Sequence, residues 1–322
     1  MDKTFKPFYV GHLPFNRAVL SEYDQNIVED TVKQWTKEFG IQSRSFGTVV
    51  TVYTNFCSFQ SPAQKSIKLI AEYLAWFFML NDFPNNSDKL ALLHDVREAL
   101  QFSHSGDGLK DLHSPNAHPL LLATYCLRNN ILSSLGGNDF SRLACRLDDL
   151  IASFCWEVGQ VGNVPDTDIY YQYRQHTIAV YPYLEIWRLG EGVFPEDILW
   201  YDIVELEHLN VKIMYLTNDI MSIEREVKKG KTNLLFCLAR DYGISLEEAS
   251  EIAKSELNTT INRFLKRSKC LEKSREISPT VKRYVDFLGT SLEGNRASLE
   301  TLKIRYQNIK AQDRSTVKTA IS

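Results

Sequence analysis

Apolar residues recur at three- and four-residue intervals along almost the whole chain, as in Ile67, Ile70, Leu74, Phe77 and Phe78, or in Leu206, Leu209, Ile213, Leu216 and Ile220. That period keeps one face of a helix turned toward a core. No segment holds the strict alternation of a half-buried strand between turn signals, although Thr48 to Tyr53 is β-branched enough to be read either way. The predicted fold is all-α. Breaks fall at Gly40, Pro62, Pro84, the polar stretch Ser103 to Pro119, Gly136-Gly137, Gly159 to Pro165, Gly190 to Pro195, Gly230, Gly243 and Ser278-Pro279. They leave roughly ten helices of ordinary length. No low-complexity linker interrupts them, so one helical domain over residues 1–322 is expected, with about 313–322 as a loose polar tail. Ser61-Pro62 places a proline at an expected first helical position, and Ser245-Leu246-Glu247-Glu248 has capping-box spacing.

Composition narrows the function classes. A formal net charge of -3, with no Lys/Arg block interleaved with aromatics, leaves no footprint for nucleic acid. Met1 to Val10 contains no apolar stretch of signal-peptide length, and the richest apolar run, Leu69 to Leu80, is interrupted by Glu72 and too short to span a bilayer. A soluble, cytoplasmic protein is expected. The 6 cysteines are scattered without a C-x-x-C pair, most of them among apolar neighbours, and read as buried free thiols. His104, His113 and His118 fit no compact zinc site and read as a surface loop.

The sharpest chemical signal is Asn218-Asp219-Ile220-Met221-Ser222-Ile223-Glu224-Arg225-Glu226, in which Asn218, Ser222 and Glu226 recur every fourth residue. On a helix each such step advances about 40°, so the three side chains point one way and can close on one ion. An amide oxygen, a hydroxyl and a carboxylate form a hard, weakly charged ligand set suited to Mg²⁺. A second acidic candidate is Trp76-Phe77-Phe78-Met79-Leu80-Asn81-Asp82-Phe83-Pro84-Asn85-Asn86-Ser87-Asp88. Pro84 should end that helix, which leaves Asp82 at the C-terminal mouth of an aromatic segment. Helix C-termini favour cations, so a carboxylate placed there invites a metal.

With these two stretches the chain resembles the class I terpene synthases of the microbial, single-domain type. Asn218, Ser222 and Glu226 match the family's N-D/x-x-x-S-x-x-x-E motif position by position, and Arg225 stands where the family often has a basic residue. Arg174 is similar in placement to the diphosphate-sensing arginine, which makes Thr177 and Ile178 the linker and effector positions at a helix break. Arg305-Tyr306 resembles the paired Arg-Tyr near the family's C-terminus. The aspartate-rich motif departs from the pattern. If Asn81-Asp82 replaces Asp-Asp, the third acidic position falls on Asn85; if Asp82 leads, its partner is Asp88.

The resemblance implies an antiparallel helical bundle around a central active-site cavity, and three Mg²⁺ ions, replaceable by Mn²⁺, around the diphosphate of an isoprenyl substrate. Asp82, Asn218, Ser222 and Glu226 would be metal ligands, with Arg174, Arg225, Arg305 and Tyr306 meeting the leaving group. Phe78, Phe77, Phe56, Tyr181, Thr177 and Ile178 are the expected substrate-facing residues, with Trp76, Phe83 and Trp187 as further lining candidates. A tryptophan common before the Arg-Tyr pair is missing from Gly294 to Ser298, which implies a wider wall. The implied reaction is ionisation of farnesyl or geranylgeranyl diphosphate and cyclisation of the cation. The alternative is an altered member that binds prenyl diphosphate without cyclising it or couples the cation to an outside nucleophile. A homodimer is the base-rate expectation.

Overall fold

The stripe Ile67, Ile70, Leu74 that marks the sequence becomes the buried face of a helix over Gln64–Asp82, in which Ile67 and Ile70 are fully buried. In the computed structural model the described residues are 9–41, 46–83, 85–101, 117–136, 140–194, 197–229, 232–273 and 277–319, with side chains for all of these except 197–199, 227–229 and 303–319. Among them are twelve helices and no strand. The first six are α1 (Glu22–Glu38), α2 (Phe46–Phe56), α3 (Gln64–Asp82), α4 (Ser87–Ala99), α5 (Pro119–Ser134) and α6 (Ser141–Gly159). The rest are α7 (Thr167–Thr177), α8 (Val180–Gly190), α9 (Asp197–Lys229), α10 (Leu234–Tyr242), α11 (Leu246–Glu272) and α12 (Pro279–Thr319).

Two inner helices organise the packing. α3 lies against α1, α2, α5 and α8, while α9 lies against α8, α10, α11 and α12. α8 joins them, and every one of its residues is buried. Its neighbour α7 is separated from it by a break at Ile178 and Ala179, where Ala179 takes a left-handed conformation (φ 62°). The Tyr73 hydroxyl donates to the Ala179 carbonyl at 2.7 Å, which ties the break to α3. Behind the break, Phe59 stacks on Phe287 at 4.1 Å between centroids, and Trp187 packs against both rings.

Local signals placed most boundaries. Ser245 and Glu248 form the expected capping box at α11, Gly243 ends α10 in the left-handed region, and α3 finishes at Asp82. Three expectations change. Thr48 to Tyr53 lies within α2, where burial of Val49 and Val50 outweighs their β preference. Pro62 precedes the helix it is expected to open: α3 begins at Gln64, and the Glu191 side chain accepts from the Ala63 amide at 2.9 Å in the role of a cap. Cys145 and Cys270 are exposed, not buried, though all six thiols are free.

Candidate active site

A cavity of about 840 Å³ opens between α3 and α9, walled also by α2, α6, α7, α8 and α12. Its depth is apolar and aromatic, formed by Val49, Tyr53, Leu74, Phe77, Met214 and Leu299 among others. Its mouth is polar. Asn218, Ser222, Arg225 and Glu226 line it from α9, Asn81 and Asp82 from α3, and Arg174 with Thr177 and Ile178 from α7 and the break that follows. The helical spacing therefore does what it predicts: Ser222 Oγ lies 3.5 Å from Asn218 Oδ1, and Ser222 and Glu226 are buried except toward the cavity.

Around this face the fold builds a buried polar scaffold. Arg174 donates from Nε and Nη2 to Asp219 Oδ1 at 2.9 and 2.6 Å, and from Nη2 to Asn218 Oδ1 at 2.9 Å. Tyr170 donates to the other Asp219 oxygen at 2.7 Å. Asp219 is fully buried. Burial pushes its carboxyl upward, and the Arg174 guanidinium opposes that; for Arg174 itself the burial cost is outweighed by Asp219, so it stays charged. Asn233, the N-cap of α10, accepts from the Leu235 amide at 2.9 Å and donates to the Asp219 carbonyl at 3.0 Å and to the Glu226 carboxylate. One buried amide thus fixes Glu226 and the start of α10 together.

The end of α3 is built differently from the expectation. Asp82 is exposed at the mouth, and Asn81 beside it lines the cavity. Asn85 is not among the lining residues: its Oδ1 accepts from Lys89 Nζ at 2.9 Å and its Nδ2 donates to Glu157 Oε1 at 3.4 Å. Asp88 lies exposed in the first turn of α4 and does not face the cavity either. α3 ends at Asp82 and α4 begins at Ser87, so Asp88 falls on the next helix and no second carboxylate of this segment lines the cavity.

Of the aromatic candidates, Phe77 and Phe78 line the cavity, with Phe78 packed against Tyr53 at 5.5 Å between centroids. Phe56 does not; its ring lies under the Arg17 guanidinium at 4.2 Å. Tyr181 is also elsewhere, its hydroxyl paired with His208 and its ring covered by Arg146. Trp76 and Trp187 are core, Trp76 Nε1 donating to Thr124 at 2.9 Å, and Phe83 packs edge-on to His118. In the stretch without the tryptophan, Asn295 lines the cavity, while Gly294 packs on α2, where a Cβ would lie 1.9 Å from the Phe56 carbonyl oxygen. Arg305 and Tyr306 belong to α12, but their side chains lie outside the described residues, as do His104 and His113. His118 caps α5 through its ring nitrogen.

Sequence reasoning missed Asp219, Tyr170 and Glu157 as parts of the site, while Asn233 is marked only by its resemblance to the motif's usual continuation. Asp219 stands inside the motif without a role there, and Tyr170 and Glu157 carry no local signal, because what makes them matter is contact with other helices.

The metal-binding model "Terpene synthase family 2, C-terminal metal binding" matches residues 72–263, which takes in both Asp82 and the Asn218, Ser222, Glu226 helix. More than half of the chain is matched, and the chain belongs to that family, a family of lyases. It is similar to germacrene A synthase of Nostoc punctiforme, 22% identical over 84% of this chain and 87% of the relative. It is also similar to pristinol synthase of Streptomyces pristinaespiralis, 26% identical over 62% of this chain and 55% of that protein. In fold it matches linalool/nerolidol synthase from Streptomyces clavuligerus solved with 2-fluorogeranyl diphosphate, with a TM-score of 0.76 at 16% identity, over 91% of this chain and 99% of the other. A point variant of cucumene synthase gives 0.74 at 18% identity, over 90% of this chain and 100% of the other. The fold is thus the all-α class I terpene synthase fold, and the family implies a divalent metal and a prenyl diphosphate substrate. Among the described residues no helix is long and apolar enough to cross a membrane.

Proposed function

We propose that this class I terpene synthase ionises farnesyl or geranylgeranyl diphosphate with the help of Mg²⁺ and closes the resulting cation into a cyclic terpene, releasing diphosphate. The observation that carries the reading is one cavity with two opposite chemistries, a mouth of oxygen donors around Arg174 and a depth of apolar and aromatic walls. Helices from α2 near one end of the chain to α12 near the other contribute to it, which supports a single catalytic unit across residues 1–322.

The donor set fits magnesium. Asn218, Ser222 and Glu226 offer hard oxygens from one helix face, and Asp82 offers a carboxylate at the same mouth. Bound there, Mg²⁺ would supply Lewis-acid neutralisation of charge developing on the leaving diphosphate. Arg174 is held in place before any substrate arrives, so it needs no reorganisation to meet a phosphate oxygen. Arg225, at the mouth, and Arg305 and Tyr306 on α12 are proposed as further donors to the diphosphate.

Below the mouth, the walls exclude the water that would quench an allylic cation. Phe77, Phe78 and Tyr53 present aromatic faces that stabilise positive charge without forming a bond to it. The Cys57 thiol also lines the cavity, and burial pushes it up to about 12, so it stays protonated and is a poor trap for the cation. Incubating purified protein with Mg²⁺ and, separately, geranyl, farnesyl and geranylgeranyl diphosphate, followed by gas chromatography with mass detection, tests the reading. A cyclic hydrocarbon or alcohol from one of the two longer substrates is expected. No product from any of the three, in protein shown to be folded, would overturn it.

A further inference from the structure

The Asp82 segment is short of carboxylates for a site that must gather divalent ions, and the residue at its third acidic position is already engaged. Asn85 Oδ1 accepts from Lys89 Nζ at 2.9 Å, and the same ammonium donates to the Phe83 carbonyl at 3.2 Å and sits 4.9 Å above the Phe154 ring. Lys89 is 1% exposed. Asn85, unlike Asn218, does not line the cavity, and a dication brought to its oxygen would meet the buried Lys89 ammonium with little water to screen it. Lys89 also supplies the positive charge that the C-terminal carbonyls of α3 favour, a role the sequence pattern leaves to a metal.

Held by Lys89 on one side, Asn85 turns its Nδ2 outward to Glu157 Oε1 at 3.4 Å. Glu157 stands near the end of α6, half-buried, and lines the same cavity as Asn81 and Asp82. Among the described residues its carboxylate has no other hydrogen bond or ion pair, so Oε2 has no competing partner. We propose that Glu157, reaching in from α6, is the metal-binding carboxylate that partners Asp82, and that Asn85 and Lys89 are the positioning residues that hold it there. The acidic position absent from the loop after α3 is thereby supplied across the mouth by a different helix. This inference rests on the reading that the mouth binds Mg²⁺ with diphosphate.

The test is a Mn²⁺ titration of the full chain in the presence of inorganic pyrophosphate, followed by electron paramagnetic resonance, with thermal melts confirming that each variant is folded. Glu157→Gln keeps the shape of the side chain and its contact with Asn85 while removing the charge. It is expected to weaken Mn²⁺ binding about tenfold or more, in the range that loss of metal-site carboxylate support produces. Wild-type affinity in Glu157→Gln would overturn the proposal. Adding Asn85→Asp to that variant should restore nothing, because the new carboxylate would pair with Lys89. Recovery of wild-type affinity would place the ion at residue 85 and overturn it equally. If the unsubstituted protein bound no Mn²⁺ with pyrophosphate, the reading of the mouth itself would fall, a result distinct from either variant outcome.

Discussion

Asp219 and Arg174 carry opposite charges out of water, so deleting one is a larger insult than deleting both. Arg174→Ala would strand a fully buried carboxylate and is expected to cost about 3–5 kcal/mol of stability, seen as a lower denaturant midpoint. Adding Asp219→Asn should return much of that loss, because a neutral amide tolerates the site better than an unpaired charge; a double variant less stable than the single one would refute the pairing argument. Asn233 is a second point of leverage. Asn233→Ala removes a helix cap worth about 1 kcal/mol. It also frees the Glu226 carboxylate, so Mn²⁺ binding measured with pyrophosphate should weaken by about 10–100-fold while the melting temperature falls only modestly. These residues also mark the limit of what one sequence discloses. Asn218, Ser222 and Glu226 are legible because their relation is a spacing on a single helix. Asp219 and Glu157 are not, because their partners lie on α7 and in the loop after α3. Asn85 escapes a correct reading because its oxygen is claimed by Lys89, whose burial the sequence does not disclose.

Helices are legible almost everywhere because the three-to-four period, caps and glycine stops act within a few residues. The α2 segment is ambiguous since its β-branched residues are settled only by packing on α1 and α3. The close approach of α2 to α12 is invisible for a similar reason. Gly294 admits the Phe56 carbonyl where any side chain would collide with main chain, so Gly294→Ala must push two helices apart. A loss of about 1–3 kcal/mol or more is expected from such overpacking, read as a fall in melting temperature; an unchanged melt would mean the helices do not meet there. The start of α7 gives a pH signature. Asp241 accepts from the Thr167 amide at 2.8 Å and pairs with Arg240, and hydrogen bonds from Thr167 and Arg240 hold its carboxyl down at about 2. Because the folded value is depressed, the stabilisation is complete above about pH 4, where the unfolded carboxylate is ionised, and is lost as pH falls toward the folded value. Stability curves of the wild type and Asp241→Asn should therefore separate above about pH 4 and converge near pH 2. Parallel curves through that window would mean the carboxylate contributes nothing there.

Mouth groups come from α3, α6, α7 and α9, so an occupant that touches them all adds links between helices beyond those the core and the Arg174–Asp219 pair already make. That arrangement makes binding and global stability one equilibrium. An occupant recognised only by the folded chain, present at a hundred times its dissociation constant, adds about 2.7 kcal/mol. For a chain of this size that is a rise of several degrees in melting temperature. The carboxylates at the mouth, Asp82, Glu157 and Glu226, repel a bare diphosphate, whereas Arg174 is already neutralised by Asp219 and attracts it only weakly. Pyrophosphate alone should therefore stabilise little. Mg²⁺ alone finds oxygen donors but no counter-anion to draw the two sides of the mouth together. Both together are expected to raise the melting temperature by more than the sum of the separate shifts, and a chelator should abolish the excess. If pyrophosphate with chelator gave the full shift, the anion would be held by arginines and the oxygen donors of α9 would need another purpose. If Mg²⁺ alone gave it, the ion would be structural, and diphosphate would not be what closes the mouth.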